Sequence, residues 1–209
     1  MFKKALVAVF VLIWIVLAIN PADRGIWLLE NLLVVTIFPV VLWLDRRYHF
    51  SNGSFLSLTV LVVLHLFGAN TTYNEMVYFD WFSRLFGWDR NYYDQLVHFL
   101  FGLLVFVPFF ELFYHQGYSR RVSYLFGFLF ISSVGGWYEI LEWLAMALFC
   151  IKTELLCADA LTQGDVWDAQ KDMSYAVIGA LLAMQLHRLW GRWHGAPRHD
   201  VGEHAKTDR

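Results

Sequence analysis

The chain of 209 residues is 58% hydrophobic and carries a formal net charge of −2. That apolar share exceeds the roughly 45–50% of ordinary globular domains, and with a mean hydropathy of +0.47 it indicates a polytopic membrane protein. The near-neutral charge argues against a nucleic-acid binder, and no hydrophilic domain interrupts the apolar pattern.

In chain order, the first apolar run follows Met1-Phe-Lys-Lys and could pass for a signal peptide. No small-x-small cleavage site precedes Ile19-Asn20-Pro21, so an uncleaved first span over about 4–19 is expected. Further spans are predicted over about 26–44, 54–70, 92–114, 121–149 and 172–190. Polar or turn-forming stretches separate them: Asn20-Pro21, Asp45-Arg46-Arg47, a longer stretch from Thr71 to Asn91, His115-Gln-Gly-Tyr, and the segment from Lys152 to Lys171. The expected fold is an all-α membrane bundle of about six helices, forming a single domain over 1–190. A polar tail at 191–209 is expected to be disordered. Aromatics near span ends, such as Trp27, Tyr92, Tyr93, Trp137, Trp143 and Trp190, are explained by interfacial belts.

Lys and Arg set the expected orientation. With a cytoplasmic N-terminus, eleven of the 16 basic residues fall on the cytoplasmic side and five (Arg24, Arg84, Arg90, Lys152, Lys171) on the other. Both termini are then cytoplasmic in a multi-pass membrane protein. Cys150 and Cys157 lie on the outer side, either as a disulfide or as two free thiols.

Ionisable residues gather at that same outer level. Asp165, Asp168 and Asp172 are spaced i, i+3, i+7 and share a helix face that continues through Tyr175 and Gly179. Asp94 and His98 form an i, i+4 pair at the entry of the fourth span, and Glu139 and Glu142 form an i, i+3 pair on the fifth. At 1.5 Å per residue the two glutamates lie roughly 27–32 Å from Arg121, in the outer leaflet. Ser132 and Gly135 continue their face as a small-residue packing seam. Each residue has a bland reading as well. Asp165 suits an N-cap, Asp94 an acid held by the helix dipole, His65 a packed polar residue, and Glu111 a snorkelling acid. The joint pattern is harder to dismiss, because acids within a membrane persist when they pair, bind a metal or face a watery cavity.

Oxygen ligands with at most one imidazole suit magnesium or manganese, with zinc less favoured. Glu139, Glu142, Asp165, Asp168 and Asp172 are the expected metal ligands, and His98, oriented by Asp94, the expected general acid or base. No organic cofactor is expected. The spacing Asp-x2-Asp-x3-Asp resembles, in chemistry only, the first aspartate motif of membrane prenyltransferases. That family's second aspartate motif is missing, and six spans are too few for its fold. Repeated His-x-x-His or Glu-x-x-His boxes, the Asp-Gly-x-x-Ala-Arg signature of alcohol phosphotransferases, a rhomboid-like Ser/His arrangement and Gly-rich phosphate loops are all absent from the sequence. Three readings stay open. One is a metal-dependent enzyme acting on a lipid-linked or phosphate-bearing substrate at the outer leaflet. The others are a cation- or proton-coupled carrier and a non-catalytic assembly factor. The lipid bilayer is the expected partner, and the sequence does not set the oligomeric state.

Tyr93-Asp94-x-x-x-His98-Phe99-x-x-Gly102, Tyr138-Glu139-x-x-Glu142-Trp143 and Thr162-Gln163-Gly164-Asp165-x-Trp167-Asp168-Ala-Gln-Lys171-Asp172-Met173 resemble the YjdF family of bacterial inner-membrane proteins. The resemblance covers roughly residues 25–190. It implies a helical inner-membrane protein, distantly similar to VanZ-like proteins, and supplies no established activity.

Overall fold

The computed structural model describes residues 1–73, 76–88, 90–145, 147–148 and 165–193. They form helices α1 (Phe2–Ile19), α2 (Arg24–Tyr48), α3 (Asn52–Thr71), α4 (Val77–Phe86), α5 (Tyr93–His115), α6 (Arg120–Ala145) and α7 (Asp168–Trp193). All but α4 have the roughly 17 residues or more that a membrane-spanning helix needs. Five of them are also apolar enough by composition. The sixth, α7, carries its polar residues at its ends and presents small residues to the bundle, with Ala176, Ala180 and Ala183 buried. It runs to Trp193, three residues into the segment read from sequence as a tail. The disulfide reading and the expected disordered tail fall on Cys150, Cys157 and residues 194–209, which lie outside the described residues.

Local chemistry sets the helix ends. Asp23 caps α2 by accepting from the Ile26 amide at 2.8 Å, and Ser51 caps α3 by accepting from the Ser54 amide at 3.1 Å. Glu111, expected to snorkel, accepts from the Ser51 amide at 3.1 Å. At the same end Lys3 pairs with Asp45 at 2.6 Å and donates to the Phe50 carbonyl at 2.5 Å. The stretch from Thr71 to Asn91, read from sequence as an interruption, contains α4. This short helix exposes Val77, Tyr78, Trp81, Leu85 and Phe86 and buries only Ser83. This one-sided exposure is the pattern of an interfacial amphipathic helix.

Helix α5 is central and packs on α3, α6 and α7, while α1 and α2 pack on α3. The main core joins Phe55, Leu58, Val105, Phe106, Phe110 and Ile131, and a second holds Phe10, Val34, Phe38 and Leu66. Val9, Leu12, Ile15 and Val16 of α1 stay exposed, as a lipid-facing helix requires. The closest approach is between α5 and α7. A Cβ added to Gly102 would collide with the Ala176 carbonyl, and one added to Gly179 with the Phe99 carbonyl. Small residues let membrane helices come this close where no hydrophobic driving force exists between them. The sequence suggested such a seam on α6, where Gly135 does lie 3.8 Å, measured to its added Cβ, from the Ala176 side chain. The tightest crossing, however, is between α5 and α7.

Candidate metal site

That crossing lies just below the ionisable residues. On α5 the face carrying Gly102 continues one and two turns earlier to His98 and Asp94. On α7 the face carrying Gly179 and Ala176 continues to Asp172 and Asp168. Joining the two faces at their glycines therefore joins their acids. One ligand atom each from Asp94, His98 and Asp172 lie within 4.8 Å of one another. Ligands sharing one ion at bonds of about 2.0–2.6 Å are at most about 4–5 Å apart, so the trio fits a single divalent cation with little adjustment.

From α6, Glu139 brings its Oε1 to 3.7 Å from His98 Nδ1, while His98 Nε2 lies 3.6 Å from Asp94 Oδ1. The imidazole therefore sits between two carboxylates, and the Tyr138 ring meets it edge-on at 5.7 Å. Most of the site is buried: Asp172 is 1% exposed, Glu139 7% and His98 8%. Asp172 Oδ1 and Glu139 Oε1 are buried and accept no hydrogen bond. A buried carboxylate oxygen without a donor is costly, and several acids gathered at membrane depth compound that cost. A bound cation resolves it, because it neutralises the charge and supplies the missing partner. The residues present thus fit a metal on geometry and on charge.

The other acids are satisfied differently. Asp165 precedes α7. It pairs with Lys171 at 2.5 Å and Arg90 at 3.2 Å, and it accepts from the Trp167 amide at 3.0 Å. Asp168 contacts Arg90 at 3.5 Å and accepts from Gln95 Nε2 at 3.4 Å. The two basic residues near the cluster are thus spent on the outermost pair of aspartates. The Lys171 hydrogen bond, followed by that of the Trp167 amide, holds the Asp165 carboxyl below its ordinary value of 3.8. A depressed folded value means the stabilisation is complete above that ordinary value and fades as pH falls through the lower folded one. The stability gap between the native protein and Asp165→Asn should therefore be constant from neutrality down to about pH 4 and shrink below it. Denaturant titrations of the two proteins across pH check this.

Glu142 lies apart from the trio. It lines a partly open pocket with Glu30, Thr72, Tyr73, Asp94 and Tyr138. Glu30 and Tyr73 were not singled out in the sequence. Glu30 is an acid six residues into an apolar span, which is itself a signal, whereas Tyr73 sits in a polar stretch and gives none. His65, read as a packed polar residue, is buried and supports that wall. The Tyr73 hydroxyl donates to its Nδ1 at 2.6 Å, and its Nε2 lies 3.1 Å from the Glu30 carbonyl and 3.6 Å from the Glu30 carboxylate. Burial pushes the Tyr73 hydroxyl well above its ordinary value, which keeps it a donor.

Comparison with known proteins adds the family. The family model described as "Predicted membrane protein (DUF2238)" matches residues 2–193. The inner membrane protein YjdF of Escherichia coli (strain K12) is 29% identical over 174 residues, covering 81% of each chain. No solved structure matches.

Proposed function

The chain belongs to the DUF2238 family of predicted membrane proteins and is a multi-pass protein of the inner membrane; from that premise we propose that it is a metal-dependent enzyme acting at the outer leaflet on a lipid-linked, phosphate-bearing substrate. The observation that carries this reading is the convergence of Asp94, His98 and Asp172 within 4.8 Å, beside buried carboxylate oxygens that lack donors. These three residues would hold the ion, with Glu139 within reach of it. Magnesium or manganese suits such a set best, and zinc is compatible with the single imidazole. When bound, the ion supplies a Lewis acid for a phosphoryl oxygen or an activated water. In this reading Asp94 and His98 serve as ligands rather than as the acid–base pair, because their ligand atoms and that of Asp172 lie within 4.8 Å of one another. Arg90, Gln95 and Lys171 would position the start of α7 through Asp165 and Asp168.

The site also speaks against a carrier. Directly below it, toward the end of the bundle that holds Lys3 and Glu111, α5 and α7 close on each other at Gly102, Gly179 and Ala180, with Phe106 fully buried beneath. The groups that meet at that seam are glycines, alanines and a phenylalanine. Positive-inside charge supports the outer placement of the site.

Metal analysis of the purified full chain tests the reading. One divalent ion per chain is expected in the native protein and in Asp165→Asn. In His98→Ala and Asp94→Asn, affinity is expected to fall by about a hundredfold or more, at or beyond the upper end of what even outer-shell changes cost. Equal metal content in all four proteins would overturn the proposal.

A further inference from the structure

The pocket beside the metal site has a chemistry of its own. Its walls are Glu30 of α2, Asp94 of α5, and Tyr138 and Glu142 of α6, closed by Thr72 and Tyr73 after α3. Three carboxylates face one small space. Glu30 is only 9% exposed, and its carboxylate accepts no hydrogen bond among the described residues. Its nearest basic neighbour is His65 at 3.6 Å. A protonated His65 would match one of the three acid charges and the proposed metal that of Asp94, which leaves one for a bound cation, since Arg90 is taken by Asp165 and Asp168. The aromatic wall is rigid. Gly68 lies flat under the Tyr73 ring, where an added Cβ would come within 2.6 Å of Cζ, and His65 fixes the hydroxyl at 2.6 Å. Carboxylates with aromatic rings form a site for an organic cation. The space is small, which favours –NH3⁺ over the bulkier trimethylammonium.

We propose that this pocket takes a primary ammonium group, so that the substrate presents phosphate and amine on one headgroup, as an ethanolamine phospholipid does. The phosphate half rests on the metal-site reading above, while the ammonium half stands on the pocket. Asp94 links them, since the same side chain lines the pocket and belongs to the ligand trio. The lipid source follows from access. Helices α2 and α6 both line the pocket without packing closely on each other. Both helices expose apolar side chains along their length, Leu28 and Leu32 on α2 and Trp137 and Leu141 on α6. An opening flanked by apolar side chains on spanning helices faces bilayer rather than water.

The full chain, loaded with Mn²⁺, is placed in nanodiscs of phosphatidylglycerol mixed with either phosphatidylethanolamine or phosphatidylcholine. Retained lipid is counted by native mass spectrometry. The ethanolamine lipid is expected to be retained about tenfold over the choline lipid, equivalent to about 1.4 kcal/mol. Glu30→Gln and Glu142→Gln should each remove that preference with manganese content unchanged. Equal retention of the two lipids by the native protein overturns the proposal, and this comparison stands even where a variant does not fold. Loss of the preference in excess sodium would make the pocket a simple cation site and overturn it as well. Soluble phosphoethanolamine displacing the lipid at equal concentration would overturn the lipid source. A retained ethanolamine preference in protein that binds no manganese would leave the pocket assignment standing and remove the metal-site reading alone.

Discussion

Asp172→Asn is expected to abolish metal binding and, at the same time, to make the metal-free protein more stable by about 1–3 kcal/mol, the order of the cost of an acid held in a membrane. Asp172 is 1% exposed and its Oδ1 has no donor. Asp94, His98, Glu139 and Asp168 share its surroundings, and among the described residues Arg90 pairs with Asp165 and Asp168 rather than with Asp172. Without an ion, the buried charge therefore opposes folding. An amide of nearly the same shape removes the charge and can donate to a neighbouring carboxylate. With an ion the sign reverses, because ligand binding stabilises only the folded protein that offers the site. Unfolding of both proteins in mixed micelles, with chelator and with manganese, separates the two terms. The native protein should gain stability from manganese and the variant should not. A variant destabilised under chelator would show that Asp172 serves packing instead. Such exchange of stability for a functional charge is a common trade in proteins.

The second large effect concerns the crossing of α5 and α7. Gly179→Val and Gly102→Leu should each lower stability by about 3 kcal/mol or more, at or beyond the upper end of overpacking costs. The atoms in the way are the carbonyls of Phe99 and Ala176, and backbone cannot swing aside as a side chain can. The helices must separate, which also draws Asp172 away from Asp94 and His98. Loss of manganese binding is therefore expected in folded Gly102→Leu, although residue 102 touches no ligand. Gly136→Ala serves as the control. Its added Cβ meets nothing nearer than the Met173 sulfur at 3.8 Å, so stability and metal content should hold. Unchanged metal binding in Gly102→Leu would separate the crossing from the site.

Much of the architecture was legible before any coordinates. Long apolar runs broken by Asn20-Pro21, Asp45-Arg46-Arg47 and His115-Gln-Gly-Tyr mark helices, because lipid leaves the backbone few other ways to satisfy its hydrogen bonds. The helix α4 was missed because ten residues of mixed pattern (Val77–Phe86) are too short to show against a polar stretch. The i, i+4 spacing of Asp94 and His98 and the i+4 spacing of Asp168 and Asp172 determined which side chains share a face, since helix geometry alone dictates it.

What the sequence could not divide was the set of seven candidate residues. Asp165 and Asp172 belong to one run and look equivalent in it. The structure gives Asp165 to Lys171 and Arg90 and leaves Asp172 buried without a donor. Glu139 and Glu142 are likewise neighbours on one face, yet one approaches His98 and the other lines a pocket with Glu30 from a distant helix. The sequence by itself determined that this is a helical membrane protein with acids gathered at one end. It could do so because hydropathy and helical spacing are local properties. Only the tertiary structure decided which acids meet, because that depends on how closely α5 and α7 approach at Gly102 and Gly179, on where Arg90 is spent, and on which helices leave a gap between them.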